Sequence, residues 1–592
     1  MGESVRVEAD VFTDGHDAVV AELLWRAAGE SEWQRTSMTF LGNDRWSAQF
    51  PVEKLGRYEY TVRGWTDMFL TWQRDLAKRR EAAQDLSVDF LIGGALSCNP
   101  VLKDAARSPE ERYATAMALR PPPPDASRVL VYPRTLQVVV EPVRARFSSW
   151  YELFPRSVRG DGTHATFRDL TAFLPEVEAM GFDVLYLPPI HPIGITERKG
   201  RNNALVAGKD DVGSPWAIGS REGGHKAIHP QLGTFDDFHA LVSAARARGI
   251  SIALDIAFQC SPDHPYVREH PEWFRQRPDG TVQYAENPPK KYQDIYPFDF
   301  ESAHWRALWE ELKSIFEFWI GHGVTVFRVD NPHTKAFEFW EWCIGELKDK
   351  HPETIFLSEA FTRPRVMHKL AKLGFTQSYT YFTWRNTRYE LTEYFTELAQ
   401  DASREYFRPN VWPNTPDILH EYLQTGGRPA FVVRAVLAAT LAANYGMYGP
   451  AFELMERVPR EPGSEEYLNS EKYEIKRWDR ERPDSLRPLV TRLNEIRKEN
   501  VALQSDWSLR FHPTDNDQLL CYSKQEGGNL ILVAVNLDPN HTQAGWIDFD
   551  RAPGGAYDVV DLLAGGHYRW GARRNFVQLD PQTLPAHVFR VG

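Results

Sequence analysis

Four carboxylates each end a short apolar run: Asp255 in IALDIAFQC, Asp330 in VTVFRVDNPH, Glu359 in TIFLSEAF and Asp417 in VWPNTPD. Three of these runs read as buried strands. An acid at the carboxyl end of a buried parallel strand points into the mouth where a (β/α)8 barrel keeps its chemistry. Paired carboxylates in such a mouth suit the breaking of a glycosidic bond. Arg328 lies two residues before Asp330, so on a strand both side chains leave the same face. A guanidinium held against a carboxylate fixes its rotamer and keeps it ionised, as a nucleophile requires. Asp330 is therefore the expected nucleophile. Glu359 has small neighbours, Ser358 and Ala360, which suit a poorly solvated carboxyl with the raised pKa of a general acid. Asp417 is expected to hold sugar hydroxyls and support an oxocarbenium-like transition state. If Asp330 and Glu359 lie ~5–5.5 Å apart, the reaction retains anomeric configuration through a covalent glycosyl-enzyme. A single acid could be a surface ion-pair partner; four in barrel order argue for a site.

Acids placed this way need alternating strands and helices, and the chain has that alternation from about residue 145 onward. FSSWYELFP leads to TFRDLTAFLPEVEAMG, and VLYLPPIHPIG to TFDDFHALVSAARARG. ISIALDIAFQC leads to HWRALWEELKSIFEFWIGHG, VTVFRVDNP to AFEFWEWCIGELKDK, and TIFLSEAF to RPRVMHKLAKLG. FTQSYTYFTW, the stretch around 409–417 and YGMYGPAF bring the strands to about eight, enough to close a barrel. Gly181, Gly249, Gly323 and Gly374 follow helices, as C-terminal caps do. The expected fold class is α/β: a (β/α)8 barrel over 141–500, with insertions at about 195–233 and 261–300. Loops of that length in a compact domain are usually functional. Short alternating runs before and after it predict two β-sandwiches, over 1–140 and 501–592. The first carries a helical insertion at about 72–120, where Ser108-Pro109-Glu110-Glu111 is a well-formed helix start.

At 592 residues, 42% hydrophobic and 25% charged, the chain reads as an ordinary soluble protein of several domains. Its net charge of −12 argues against a nucleic-acid or anionic-membrane partner, since both reward an excess of Lys and Arg. No apolar run is long enough to cross a bilayer, and MGESVRVEADVF lacks the pattern of a signal peptide. A cytoplasmic enzyme is expected. Cys98, Cys260, Cys343 and Cys521 are scattered, without zinc-type spacing. His191, His225, His229, His264 and His333 lie on separate loops without a ligand repeat, so no metal is expected. His191 and His333 could instead touch sugar hydroxyls. Among the tryptophans, Trp216, Trp384 and Trp412 lie near loop signals and are candidates for stacking on sugar rings. Trp305 and Trp309 belong to an amphipathic helix.

Residues from about 145 to the C-terminus resemble the α-amylase superfamily of retaining α-glucosidic enzymes. Asp255 matches its first-motif acid and is expected among the substrate-binding residues, and FRVDNPH matches its nucleophile motif, SEAF its acid/base motif and NTPD its last. Two departures are informative: Gln259-Cys260 stand where the superfamily usually has Asn-His, and Pro416 replaces the His before the last acid. Both departures occur in a narrower family that the chain resembles across most of its length, the α-1,4-glucan:maltose-1-phosphate maltosyltransferases. The matching segments are ERKGRNN, GSPWAIGSREGGHKAIHPQLGTF, FQCSPDHP, PPKKYQDIYP, FRVDNPHTK, FLSEAFTRP, NTPDILHEYLQ and LNSEKY.

The resemblance implies that Lys199, Gln259, Asp294, Asn331, Lys472 and Tyr473 hold the donor, α-maltose 1-phosphate. It further implies a phosphate contact from Tyr292 and a place beside the donor sugar for Ser214. The acceptor would be an α-1,4-glucan or maltooligosaccharide, no cofactor would be needed, and a homodimer is the expected assembly. A dianionic leaving group requires cations and neutral donors, which Arg198, Lys199 and Arg201 of the RKGR loop, the Asn331 amide and the Tyr292 hydroxyl can supply. Two other readings stay open on the residues alone: another enzyme of the superfamily, and a non-catalytic glucan-binding protein.

Overall fold

The alternation closes into a ring. In the computed structural model, which describes residues 1–549, 555–571 and 573–592, the strands Ser148–Glu152, Val184–Leu187, Ser251–Ile256, Val326–Asp330, Ile355–Glu359, Gln377–Tyr379, Pro409–Val411 and Asn444–Tyr448 pair in parallel in chain order. The last pairs with the first, completing a (β/α)8 barrel. Helices cover the outside, so both faces of each strand are buried and the strands read as near-continuous apolar runs such as VLYL. Trp150, Tyr186, Ala253, Val326, Leu357, Tyr379 and Trp412 fill the interior.

Register decides where the acids go. Asp255 lies beside Arg328, Asp330 beside Glu359, and Tyr186 beside Glu152. Inward residues recur every second position, so Val326, Arg328 and Asp330 climb one face of their strand toward the carboxyl end. The surrounding helices start where local chemistry dictates: Thr166, Thr234 and Thr387 each form a capping box with the acid three residues on. The helix after the first strand stops at Gly181, whose φ of 82° suits glycine; a Cβ there would also meet Asn494 at 2.9 Å.

The chain divides into two compact units, Met1–Glu141 and Pro142–Gly592. In the first unit a three-stranded and a five-stranded sheet enclose Val7, Leu23, Phe50, Val52 and Val140. Between its strands Gly56–Asp67 and Leu130–Val131 lie four α-helices and a short 3-10 turn. The first begins at Met68, because Asp67, ending the strand, caps it through the Leu70 N–H. The fourth begins at Pro109 behind the Ser108 capping box.

In the second unit the barrel is followed by a six-stranded and a two-stranded sheet. The strand Leu519–Glu526 shows how this part is built. Leu519 and Cys521 face the small core between the two sheets, while Leu520 and Tyr522 join the barrel's core. The Tyr522 hydroxyl lies 2.5 Å from Thr440 Oγ1 on a barrel helix. Among the described residues no helix is long and apolar enough to cross a membrane.

Candidate active site

Three neighbouring strands bring their acids onto one guanidinium. Arg328 Nη1 donates to Asp255 Oδ2 at 2.9 Å and to Asp330 Oδ1 at 2.8 Å, and Nη2 lies 3.5 Å from Glu359 Oε1. Asn331, the next residue, is left-handed at φ 43°. That turn points its backbone N–H at Glu359 Oε2, 3.1 Å away, and leaves its amide 3.4 Å from Asp330 Oδ2. Desolvation favours the neutral form of a buried acid, and a nearby cation the charged form. Burial pushes Glu359 up to about 7 against the pull of Arg328, with Asp330 adding to the rise. Burial likewise pushes Asp255 up to about 7, again opposed by Arg328.

Above these strands opens a cleft of about 1400 Å³. Asp330, Glu359 and Asp417 reach it, as do Lys199, Ser214, Gln259, Tyr292, Asp294, Asn331, Lys472 and Tyr473. Arg328 lies beneath it, buried, and so does Asp255, which is expected to bind substrate but does not line the cleft, its Oδ2 being held by Arg328 and Tyr186. Asp417 is in a turn six residues past the strand Pro409–Val411, where Lys472 Nζ pairs with it. Lys199 is buried at the cleft wall and acts on Asp294, whose carboxyl burial raises and the two lysines, 199 and 472, lower. The Lys472 ammonium lies 5.0 Å from the Trp216 ring centroid. Cations, amides and hydroxyls thus surround the mouth opposite a pair of carboxyls.

Across its whole length the chain is 52% identical to the α-1,4-glucan:maltose-1-phosphate maltosyltransferase of Chlorobaculum tepidum, of which the match covers 93%. It belongs to the α-1,4-glucan:maltose-1-phosphate maltosyltransferase family. The same holds at 51% identity for the Methylacidiphilum infernorum enzyme of that name, again over 100% of this chain and 93% of the relative. The family model described as α-1,4-glucan:maltose-1-phosphate maltosyltransferase, domain N/S, matches residues 1–155, and one described as GLGE, C-terminal, matches 511–591. An α-amylase from Lactobacillus plantarum superposes with a TM-score of 0.55 at 20% identity, over 74% of this chain and 100% of its own. The acarbose complex of the Geobacillus thermoleovorans α-amylase superposes with a TM-score of 0.59 at 15% identity, over 76% and 98%. These two likenesses are of fold.

Within this maltosyltransferase family member, several residues differ from what the sequence suggests. Of the RKGR cations only Lys199 faces the cleft. Arg198 spends its guanidinium on the backbone carbonyls of Gly194, Asp211 and Ile193, at 2.7, 3.1 and 3.0 Å, holding its own loop. Arg201 is exposed and pairs with Asp211. Trp216 and Trp384 line the cleft, but Trp412 fills the barrel interior, stacked on Tyr379 with centroids 5.1 Å apart. His333 lines the cleft; His191 is buried, bonded to the Ala227 carbonyl and packed on Trp319, out of reach of sugar.

Other residues of the site are absent from the sequence reading. Lys335 lines the cleft five residues past the nucleophile candidate, its Nζ on Asn331 O at 3.2 Å, and burial lowers its pKa against the pull of Asp330. Glu152 ends the first strand inside the barrel; the signal that finds Asp330 and Glu359, an acid closing a buried strand, also finds it. His225, Cys260 and His264, distant in sequence, converge with their ligand-type atoms within 4.8 Å of one another. Their hydrogen bonds run one way. The Tyr266 N–H donates to His264 Nδ1, so the His264 proton sits on Nε2, which faces His225 Nδ1 at 3.1 Å. His225 then donates from Nε2 to the Ala257 carbonyl at 2.9 Å. The His264 nitrogen nearest the cluster carries a proton, and burial lifts the Cys260 thiol well above its usual range. The two imidazoles thus form a hydrogen-bonded chain ending on the Ala257 carbonyl.

Proposed function

We propose that the chain transfers a maltosyl unit from α-maltose 1-phosphate to the non-reducing end of an α-1,4-glucan, releasing phosphate, by double displacement. The observation that carries this reading is the single guanidinium of Arg328 holding Asp330 and reaching Glu359 on the adjacent strand. Adjacent strands lie ~4.8 Å apart, which suits the ~5–5.5 Å carboxyl spacing of a retaining site. Asp330 attacks the anomeric carbon, the bond from that carbon to the phosphate oxygen breaks, and Glu359 assists departure of phosphate. Glu359 then takes the proton of the acceptor 4-hydroxyl as that oxygen displaces Asp330. Asp417 and its partner Lys472 hold the sugar. Lys199, Tyr292 and Asn331 meet the phosphate, while Ser214, Gln259, Asp294 and Tyr473 hold the donor sugars; all seven line the cleft. Asp255 fixes Arg328 from below. The relatives' shared name supports the substrate pair.

The assembly belongs to the same proposal: a homodimer in the cytoplasm. On the helix Ser87–Leu96, Val88, Leu91 and Ile92 are exposed at spacings that place them on one face, an apolar surface for a second copy to cover. Sedimentation of the wild type and Leu91→Asp checks it, and a monomeric wild type would discard it. The reaction is tested by phosphate release from α-maltose 1-phosphate with and without a maltooligosaccharide, with products sized by mass. Growth by two glucose units, dependent on acceptor, supports the transfer; release of free maltose alone means hydrolysis instead.

A further inference from the structure

Glu152 faces the same barrel interior as the acids above it, yet no step of the reaction uses it. It is 1% exposed, with Tyr186 and Tyr448 as its neighbours on the flanking strands. Among the described residues its Oε2 has no hydrogen-bond partner. Arg328 Nε, the guanidinium nitrogen that holds no carboxylate, has none either. The groups that act most strongly on Glu152 are Arg328 and the acids Asp255, Asp417 and Glu471, and it acts in turn on the hydroxyls of Tyr186, Tyr379, Tyr448 and Tyr467. Arg328 is already shared by Asp255, Asp330 and Glu359. An ionised Glu152 would be a further buried anion competing for that guanidinium. The two stay unpaired.

We propose that Glu152 is a positioning residue that remains a neutral carboxylic acid, so that Arg328 stays committed to Asp255, Asp330 and Glu359. Burial, opposed by Arg328, lifts its carboxyl well above the usual range, in agreement with the geometry. Its neutrality makes it unlike Glu359, whose proton must come and go. As a neutral acid its carboxyl offers a donor as well as an acceptor to the site's floor.

The direct test compares infrared spectra of the full-length protein and Glu152→Gln at about pH 9, where groups titrating near 7 have lost their protons. The variant is expected to lose a C=O band of a neutral carboxylic acid. Loss of a carboxylate band instead overturns the proposal. A kinetic arm rests on the maltosyl-transfer reading. Glu152→Leu is expected to lower kcat about tenfold through the loss of a polar group from the floor of the site, Gln should restore most of it, and the pH limb set by Glu359 should stay in place. A Gln variant as slow as Leu, or a limb displaced by about one pH unit, counts against the proposal. Should the wild type release no phosphate from the donor, the reaction is wrong while the infrared comparison still decides the state of Glu152.

Discussion

The mouth of the barrel is built in two ways. Asp255, Arg328, Asp330 and Glu359 stand on three adjacent strands whose ladder bonds fix the backbone on both sides. Lys199, Ser214, Tyr292, Asp294, Lys472 and Tyr473 stand on long connections held by individual ties. Arg198 gathers carbonyls of its own loop, and Lys290, on the hairpin that ends in Tyr292, lies 3.7 Å from Glu466. Reacting groups must be held to within a fraction of an ångström, and strands do that better than loops. Recognition of a leaving group tolerates more movement. The division teaches that this barrel keeps bond-making chemistry in its ladder and entrusts the choice of substrate to the loops.

If that division is sound, damage to the two parts should differ in kind. The largest effect belongs to the ladder: Asp330→Ala is expected to lower phosphate release by roughly four orders of magnitude. A rate within tenfold of wild type would remove Asp330 from the chemistry. A loop change should act on binding. Lys199→Ala removes a charge-assisted contact, so KM for α-maltose 1-phosphate should rise about tenfold to a hundredfold with a smaller change in kcat. An equal fall in kcat with unchanged KM would blur the distinction between ladder and loop. The smallest effect is a matter of pH. Glu359 must hold its proton to assist departure of phosphate, and burial sets its pKa to about 7. The kcat/KM for the donor should therefore fall about tenfold per pH unit above 7. Glu359→Gln should abolish that limb along with most of the rate; a limb that persists belongs to another group.

The same two constructions explain what could be read from the chain. Strand ends are local signals: an apolar run closing on an acid shows Asp255, Asp330 and Glu359 without any partner in view. Helix starts are equally local, as the capping boxes at Ser108, Thr166 and Thr234 show. Glu152 obeys the same rule, but its burial depends on the first strand meeting the eighth, almost three hundred residues away. Trp412 departs from its expected place for a related reason, since a ring next to loop residues can turn into the barrel as readily as out of it. The three RKGR cations look alike in sequence, and only the carbonyls around Arg198 and the carboxylate beside Arg201 separate them from Lys199. Pairings between distant loops, such as His225 with Cys260 and His264, leave no periodic trace.

That last cluster makes the protein answerable to acidity in a particular place. An unfolded imidazole titrates near ~6.5, whereas burial pushes His225 down to about 4 and His264 to about 2. Between those values the unfolded chain binds more protons than the folded one. The stability these rings contribute is therefore complete above ~6.5 and is withdrawn as the pH falls toward 4. The rings brace the exit of the third strand, which carries Gln259 into the cleft. Amide exchange around 257–266 should accelerate below about pH 6, while Asp330 and Glu359 stay seated in their ladder. Acid would make the enzyme careless about its substrate before it made it inert.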